Sequence, residues 1–597
     1  CYFMITRKNP SISAPTPKMP RNAFDLSERS LYTQPCGMLL PVFIKEMNPD
    51  EKLSVNVVSQ LQANTLKGRA FVGMQQQFAA YFVPYRYLYS YWDSFITGLS
   101  LNNTAHTSLQ QMSNAGSKIG VPQFNPFKVF KDNYGFQRKD SLGFPFASNF
   151  VRLCDMLGYG FVACPKPDKG TSVEYYPDYR VNAFRFLAYQ KIYQDHFLDD
   201  RFESRNVSSY NVDNKLPNAV NGYPLVEDIE CFQMRYAKYN KDYITNIQPS
   251  PLFVQSVDNV IRPFVGTSPI VGGSIVPKYY SPENQPDTYA ALKIDGKVEN
   301  DTILSAAQIR NLFALDKMAQ ISSRASKTYR AQMLAHYGVK VSGDSHLSSY
   351  CGGFQRDLDS TAVIATGSGS NTNFTTDFGE QGSFIDSVQN GHIDYESSDF
   401  GVFMILSWIS PNPRWNATGI DPFNTKLNKE DYFHPETMDL GMRPLYGNGL
   451  LNTYYYPDAS NVKERVKLVD ESLYGWTENY SEYKSSYDRV HGEFVRRDMF
   501  AAIGDPHNTS LSTRFSELPQ GTLAFLTTHS PFTIKNNTFA TVCPVVTLAD
   551  ISISPDVTDD VVEVSYKGYQ NQDPFRVETQ FSCSIIRNMS VSGLPRL

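Results

Sequence analysis

The run from Phe24 to Trp92 restricts the fold more than any other stretch of the chain. Leu53-Ser54-Val55-Asn56-Val57-Val58 alternates apolar and polar side chains with a period near two, blurring at Val57-Val58. That period belongs to a strand with one face buried. Phe78 to Tyr91 is aromatic and β-branched, punctuated by Pro84, and such side chains suit a pleated surface. Leu39-Leu40-Pro41-Val42-Phe43-Ile44 is apolar throughout. These residues predict sheet and do not by themselves name a function.

At 597 residues the chain is long enough for several domains, yet large all-β units with insertions also reach this size. Hydrophobic residues make up 41% and charged residues 19%, with 37 Tyr and 39 Phe, which is enough to build a large core. A formal net charge of -5 excludes the chain as a whole from wrapping nucleic acid electrostatically. Any DNA contact has to be local or shared with a basic partner. The cysteines, Cys1, Cys36, Cys154, Cys164, Cys231, Cys351, Cys543 and Cys583, form no Cys-x-x-Cys pair. They are expected to be free thiols, with folding in a reducing cytoplasm. Val402-Phe403-Met404-Ile405-Leu406-Ser407-Trp408-Ile409 is far too short to span a membrane and reads as a buried strand. Arg7, Lys8 and Pro10 interrupt the N-terminal region before it can form the apolar core of a signal peptide.

Residues 1–24 hold Pro10, Pro15, Pro17 and Pro20 with Arg7, Lys8, Lys18 and Arg21, and no acid. Such a segment cannot bury enough surface to fold alone and is expected to be an extended basic arm. Residues 182–197 space Phe186, Tyr189, Ile192 and Tyr193 as a helix does. From about 198 to 298 the composition is rich in Asn, Asp, Pro, Gly and Tyr, which predicts a large surface insertion. About 303–338 predicts a helical insertion, clearest from Ser305 to His336. Its apolar residues Ile309, Leu312, Phe313, Leu315, Met318 and Ile321 surround the wheel, as in a helix packed on several sides. Gly367-Ser368-Gly369-Ser370-Asn371 predicts a flexible loop.

Catalytic signatures are missing: there is no Gly-x-Ser-x-Gly elbow, no Gly-Lys-Ser/Thr phosphate loop and no His-Glu-x-x-His helix. His392-Ile393-Asp394 could ligate a metal, but a solvated loop pair is the simpler reading. Asp357 with Asp359, and Asp556, Asp559, Asp560 and Glu563, lack the spacing of a Ca²⁺ loop. No cofactor is expected. The aromatic side chains could stack on bases or sugars, but most of them are expected in sheet cores and subunit interfaces.

Landmarks in a fixed order carry a resemblance. They are Phe24-Asp25-Leu26-Ser27, the strand-like segments above up to Trp92, Lys238 to Asn246, Tyr329-Arg330, and His336-Tyr337-Gly338-Val339. Asp431-Tyr432-Phe433-His434-Pro435, Tyr474 to Lys484 with Tyr480-Ser481-Glu482-Tyr483 at its centre, Arg489-Val490-His491-Gly492 and Ser592-Gly593-Leu594-Pro595 complete the set. The chain thereby resembles the major capsid proteins of the Microviridae, the small single-stranded DNA phages, in their gokushovirus-like branch. Ser481 stands where that family usually has Ala.

The resemblance implies a mainly β fold, an eight-stranded antiparallel jelly roll of the viral capsid type with long loop insertions and a few helices. Residues 25–597 would form this single domain behind the arm. It implies a structural protein and no enzyme: pentamers and a T=1 icosahedral shell around circular single-stranded DNA, made in the host bacterial cytoplasm and found in the virion. Expected partners are other copies of the chain, the DNA, a small basic DNA-binding protein, a minor pilot protein and a host surface receptor. Arg7, Lys8, Lys18 and Arg21 are the expected DNA contacts. The alternative from another class is a β-rich carbohydrate-active enzyme or carbohydrate-binding module, which would need two carboxylates facing each other in an aromatic cleft.

Overall fold

The computed structural model describes residues 21–35, 37–63, 74–97, 120–129, 149–160, 179–199, 205–212, 224–238, 314, 317–322, 325, 328–340, 347–358, 360–364, 369–371, 374–376, 381–411, 414–415, 421–437, 441–446, 473–486, 503–504 and 575–591. Twelve of its strands matter here: β1 (Asn22–Asp25), β2 (Glu28–Gln34), β3 (Leu40–Met47), β4 (Lys52–Ala63), β5 (Met74–Pro84), β6 (Ser349–Asp357), β7 (Ser360–Ile364), β8 (Gln381–Glu396), β9 (Gly401–Pro411), β10 (Met442–Tyr446), β11 (Leu473–Glu478) and β12 (Phe575–Arg587). Helices α1 (Asn149–Met156), α2 (Phe184–Ile192) and α3 (Tyr329–Tyr337) accompany them.

Two antiparallel sheets form the body. In the first, β12 lies between β4 and the pair β1 and β2, and the order continues through β8 to β7. The second runs β3-β9-β5-β6. Consecutive strands cross from sheet to sheet at β2 to β3, β3 to β4, β4 to β5, β6 to β7 and β8 to β9, and after β10 and β11 the chain returns to the first sheet as β12. That is the winding of a jelly roll. These sheets hold ten strand segments where eight were expected, because β1 and β2 both pair along β12 and β7 adds an edge to β8.

The alternation in β4 is strict. Leu53, Val55, Val57, Ser59 and Leu61 point inward and are buried, while Val58 faces out at 43% exposure. The blur at Val57-Val58 is therefore an apolar residue on the outer face. β12 alternates equally, with Phe575, Val577, Thr579, Phe581, Cys583 and Ile585 buried. Between the sheets a polar seam accompanies the apolar core. Gln34 Nε2 donates to Ser407 O at 3.0 Å, Tyr32 Oη lies 3.3 Å from Thr579 Oγ1, Thr579 Oγ1 donates to Ser59 Oγ at 3.2 Å, and Gln76 Nε2 reaches Ser59 Oγ at 3.4 Å. Each partner satisfies another, so the buried polar atoms carry no desolvation penalty alone. Burial pushes the Tyr32 hydroxyl up to about 12, against hydrogen bonds to Thr579 and Ser407.

The run 402–409 is buried on both faces, as a strand covered from two sides should be. Its inner face meets the first sheet and its outer face lies under α2, whose residues from Phe186 to Ile192 are all buried. The helix expected over 182–197 is α2, continued by a π-helical turn at Tyr193–Phe197. Asn182 Oδ1 accepts from Phe184 N at 2.8 Å at its start.

Three expectations change. Of the segment 198–298 read as a surface insertion, Val212, Val226, Cys231, Phe232, Met234 and Ala237 are buried in the main core, and Phe232 packs on Phe124, Phe150 and Phe186. Hydrophobic side chains spaced among turn residues concealed that role. The part from 239 to 298 lies outside the described residues.

The helix read from Ser305 to His336 is interrupted. Thr328 has extended backbone and its Oγ1 accepts from Ala331 N at 3.3 Å, so a new helix, α3, starts there. Gly338 in the left-handed region (φ +67°) ends it. None of α3 is buried, and Met318 before it is exposed. Ile309, Leu312, Phe313 and Leu315 lie outside the described residues. Gly369–Asn371, read as loop, is a short strand paired with Phe374–Thr376.

Candidate functional site: the arm root and an aromatic unit

Of the four bases expected to contact DNA, Arg7, Lys8 and Lys18 lie outside the described residues. Arg21 stands at the start of β1. Its guanidinium is 3.1 Å from Asp50 Oδ1 and donates to Asp50 O at 2.5 Å. Asp50 sits in the β3–β4 turn at φ +64°. Next to it, Glu51 is buried, accepts from Asn48 N at 3.0 Å and lies 3.3 Å from Arg587 Nε at the end of β12. Arg587 also donates to Glu46 O at 2.7 Å, and Arg185 at the start of α2 donates to Glu46 Oε1 at 3.0 Å. Burial raises the Glu46 carboxyl, opposed by Arg185. Arg21 thus joins, through Asp50, a rim of ion pairs linking both sheets and α2.

A second assembly lies outside the sheets, in 421–437, β10, β11 and Ser481–Lys484. Lys426 and Glu482 have side chains only 4% and 3% exposed and pair at 2.7 Å. Arg443 pairs with the same carboxylate, its other nitrogen 3.2 Å from Oε1. Lys426 Nζ also donates to Asp431 O at 2.6 Å. The rings of Phe423, Tyr432, Tyr480 and Tyr483 surround the ammonium, their centroids 4.9–5.9 Å away. Aromatic faces and one carboxylate together replace the water the cation has lost.

Burial pushes the Glu482 carboxyl up. Hydrogen bonds from Lys426 and the backbone, with the charges of Arg443 and Lys426, outweigh it and hold the group below its ordinary value. Tyr480 takes a left-handed backbone (φ +59°), which turns the chain from β11 into the last helical turn. Its hydroxyl lies 2.5 Å from Thr437 Oγ1 and donates to Tyr432 O at 3.3 Å. Tyr480-Ser481-Glu482-Tyr483 therefore supplies two walls and the counter-charge of the Lys426 cage. Sequence reasoning singled out that tetrapeptide but missed Lys426 and Arg443; a Glu between two aromatics, which needs a cation when buried, was the available signal.

Both oxygens of Glu482 are thus taken up by Lys426 and Arg443, which hold the unit together. His392 and Asp394 pair at 2.9 Å on the outer face of strand β8, with Asn56 Oδ1 2.6 Å from His392 Nδ1; they are on a strand and not on a loop. Among the described residues no group of His, Cys, Asp or Glu could hold a metal. Asp357 accepts from Gln75 Nε2 at 2.7 Å, while Asp359 and the acids from Asp556 to Glu563 lie outside the described residues. The described cysteines, Cys154, Cys231, Cys351 and Cys583, are free thiols. No helix among the described residues is long and apolar enough to cross a membrane.

Beneath α2 lies a third polar cluster. The Asp195 side chain is buried, pairs with Lys191 at 2.9 Å and Arg205 at 3.5 Å, and accepts from Ser348 N and Oγ at 2.8 and 2.9 Å. His196 Nε2 is 3.0 Å from Ser348 O. The cluster ties the end of α2 to Ser348, immediately before β6.

A family model described as capsid protein (F protein) matches residues 13–113 and 161–543. The capsid protein VP1 of Chlamydia phage 1 is 23% identical over 577 residues, covering 88% of this chain and 92% of the relative. The capsid protein VP1 of Bdellovibrio phage phiMH2K is 22% identical over 548 residues, covering 86% and 88%.

Proposed function

The chain belongs to the capsid protein (F protein) family, and from that premise we propose that copies of it close into a small T=1 icosahedral shell, by way of pentamers, around the circular single-stranded DNA of a Microviridae phage. The protein is a structural capsid protein and a virion component, so the carbohydrate-active alternative falls. The observation that carries the reading is the jelly-roll crossing of consecutive strands between two sheets. It makes a rigid wedge suited to tiling against further copies of itself.

The arm before Asn22 supplies the DNA contact. Arg7, Lys8 and Lys18 meet phosphates without sequence preference, and Arg21, engaged by Asp50, anchors the arm and adds its charge beside them. A net charge of -5 leaves most of the neutralisation to a small basic DNA-binding protein. A minor pilot protein and a host surface receptor complete the partners, and assembly takes place in the host bacterial cytoplasm.

Electron microscopy of the chain expressed with the virion's other proteins tests the shell: closed particles of T=1 size are expected, and a chain that stays monomeric at every concentration would refute the reading. Replacing Arg7, Lys8, Lys18 and Arg21 by Ala should lower DNA retention more steeply as salt rises, with shell geometry unchanged. Normal packaging at all salt concentrations would remove the arm's role.

A further inference from the structure

Two exposed apolar surfaces of opposite charge lie outside the sheets. The first is built on α3, where Tyr329, Leu334, Tyr337 and Val339 are exposed, with Met318 exposed just before it. From Lys317 to Lys340 the chain has no Asp or Glu, but has Lys317, Arg324, Lys327, Arg330 and Lys340. One side of α3 is held back by its own chain: His336 Nε2 is 2.8 Å from Ser322 Oγ, and Gln332 Nε2 donates to Ser322 O at 3.2 Å. Arg330, Leu334 and Tyr337 fall on the opposite side of the helix and are exposed.

The second surface is the outside of the Lys426 cage. Phe423, Tyr432, Phe433 and Tyr483 are each more than 40% exposed at their outer edges, and Leu427 is 85% exposed. Its bases are largely committed: Lys426 and Arg443 to Glu482, and Lys484 to Glu478 at 3.2 Å. Among the described residues of 421–437, Lys429 is the base then left beside the exposed Glu430, Asp431 and Glu436. This surface is apolar with an acidic rim, and the buried ion pairs beneath it hold its shape.

We propose that these are the two halves of one contact between subunits, in which the basic apolar face of α3 in one copy docks on the acidic aromatic unit of a second copy. The inference rests on the shell reading above. Both faces carry large apolar side chains that a lone chain leaves in water, and their charges are complementary. Nucleic acid would suit the bases of α3 but would leave Leu334 and Val339 uncovered, and it would be repelled by the other half. A contact between two different patches is heterologous, the kind that propagates around a ring until it closes.

A charge-swap experiment on the full-length chain tests this. Arg330→Glu with Lys340→Glu, and separately Glu430→Lys with Glu436→Lys, should each raise the concentration needed for assembly about tenfold or more, while circular dichroism shows a folded chain. Combining all four should restore assembly toward the unmodified chain. Assembly at the normal concentration by either reversed variant would overturn the contact. So would a folded combined variant that fails to recover. Normal shells with less DNA from the α3 variant would assign α3 to the genome instead. A chain that never assembles even without substitutions would defeat the shell reading itself, which is a different result from normal shells in every variant.

Discussion

Phe43 of β3 and Phe581 of β12 meet ring to ring between the two sheets, their centroids 4.7 Å apart and their planes inclined by 31°. Phe403 of β9 closes on Phe43 edge-on at 6.4 Å. The first and last parts of the chain thus share one core. Phe581→Ala is expected to cost about 3–5 kcal/mol, because the cavity would lie between two sheets that cannot collapse onto it. Val58→Thr, one face away on β4, should change stability by no more than about 0.5 kcal/mol. Urea unfolding of the unassembled chain measures both.

Gly391 of β8 has the ring of Phe354 lying directly over its α-carbon, where a Cβ would collide with it. Phe354 is itself stacked on Phe78 at 5.0 Å and cannot swing away freely. Gly391→Ala should therefore destabilise by about 1–3 kcal/mol through overpacking. A melting temperature equal to the unmodified chain's would show that the ring relocates.

The buried Glu482 carboxylate gives the aromatic unit an acid limit. Its folded value lies below the ordinary 4.5, so its contribution is complete above that value and is lost as pH falls below it. Limited proteolysis within 421–486 should accelerate as pH drops through this range. Glu482→Ala, which strands Lys426 and Arg443, should open the unit at neutral pH, at a cost of about 3–5 kcal/mol.

His196 acts at milder acidity. Desolvation of the ring side packed on Tyr81 lowers its value below the ordinary 6.5 although the residue keeps an exposed edge, and the nearby Asp195 only partly opposes this. The unfolded chain therefore binds the proton more readily than the folded one. Stability present above about pH 6.5 should decline as pH falls below it. His196→Asn should flatten that part of the stability profile, read from melting temperatures at pH 7.5 and 5.5. An unchanged slope would show that the imidazole carries no linkage.

Strands whose inward set is apolar were legible in the sequence, as at Leu53–Val57 and Val402–Ile409. β12 was not, because Thr579 and Cys583 point inward and Ile586 outward, which blurs its hydropathy while its geometry alternates without a break. The helical composition of 305–336 read as one helix, since propensity cannot show that the Thr328 hydroxyl will cap a new start. Glu482 was visible as part of a Tyr-x-Glu-Tyr pattern, but its partners Lys426 and Arg443 are remote in sequence and only the fold brings them together.

The placement of β12 between β2 and β4 bears on synthesis. The ribosome makes Phe575–Arg587 after every other described strand, yet that strand occupies the middle of its sheet and pairs with residues made near the beginning. Until it emerges, β2 and β4 have no common neighbour, and their edges are open to pairing with other nascent chains. A chain halted before Phe575 can still pair β4 with β8 and β8 with β7, but it lacks the strand that joins β1 and β2 to β4, so the inner edge of that sheet stays open.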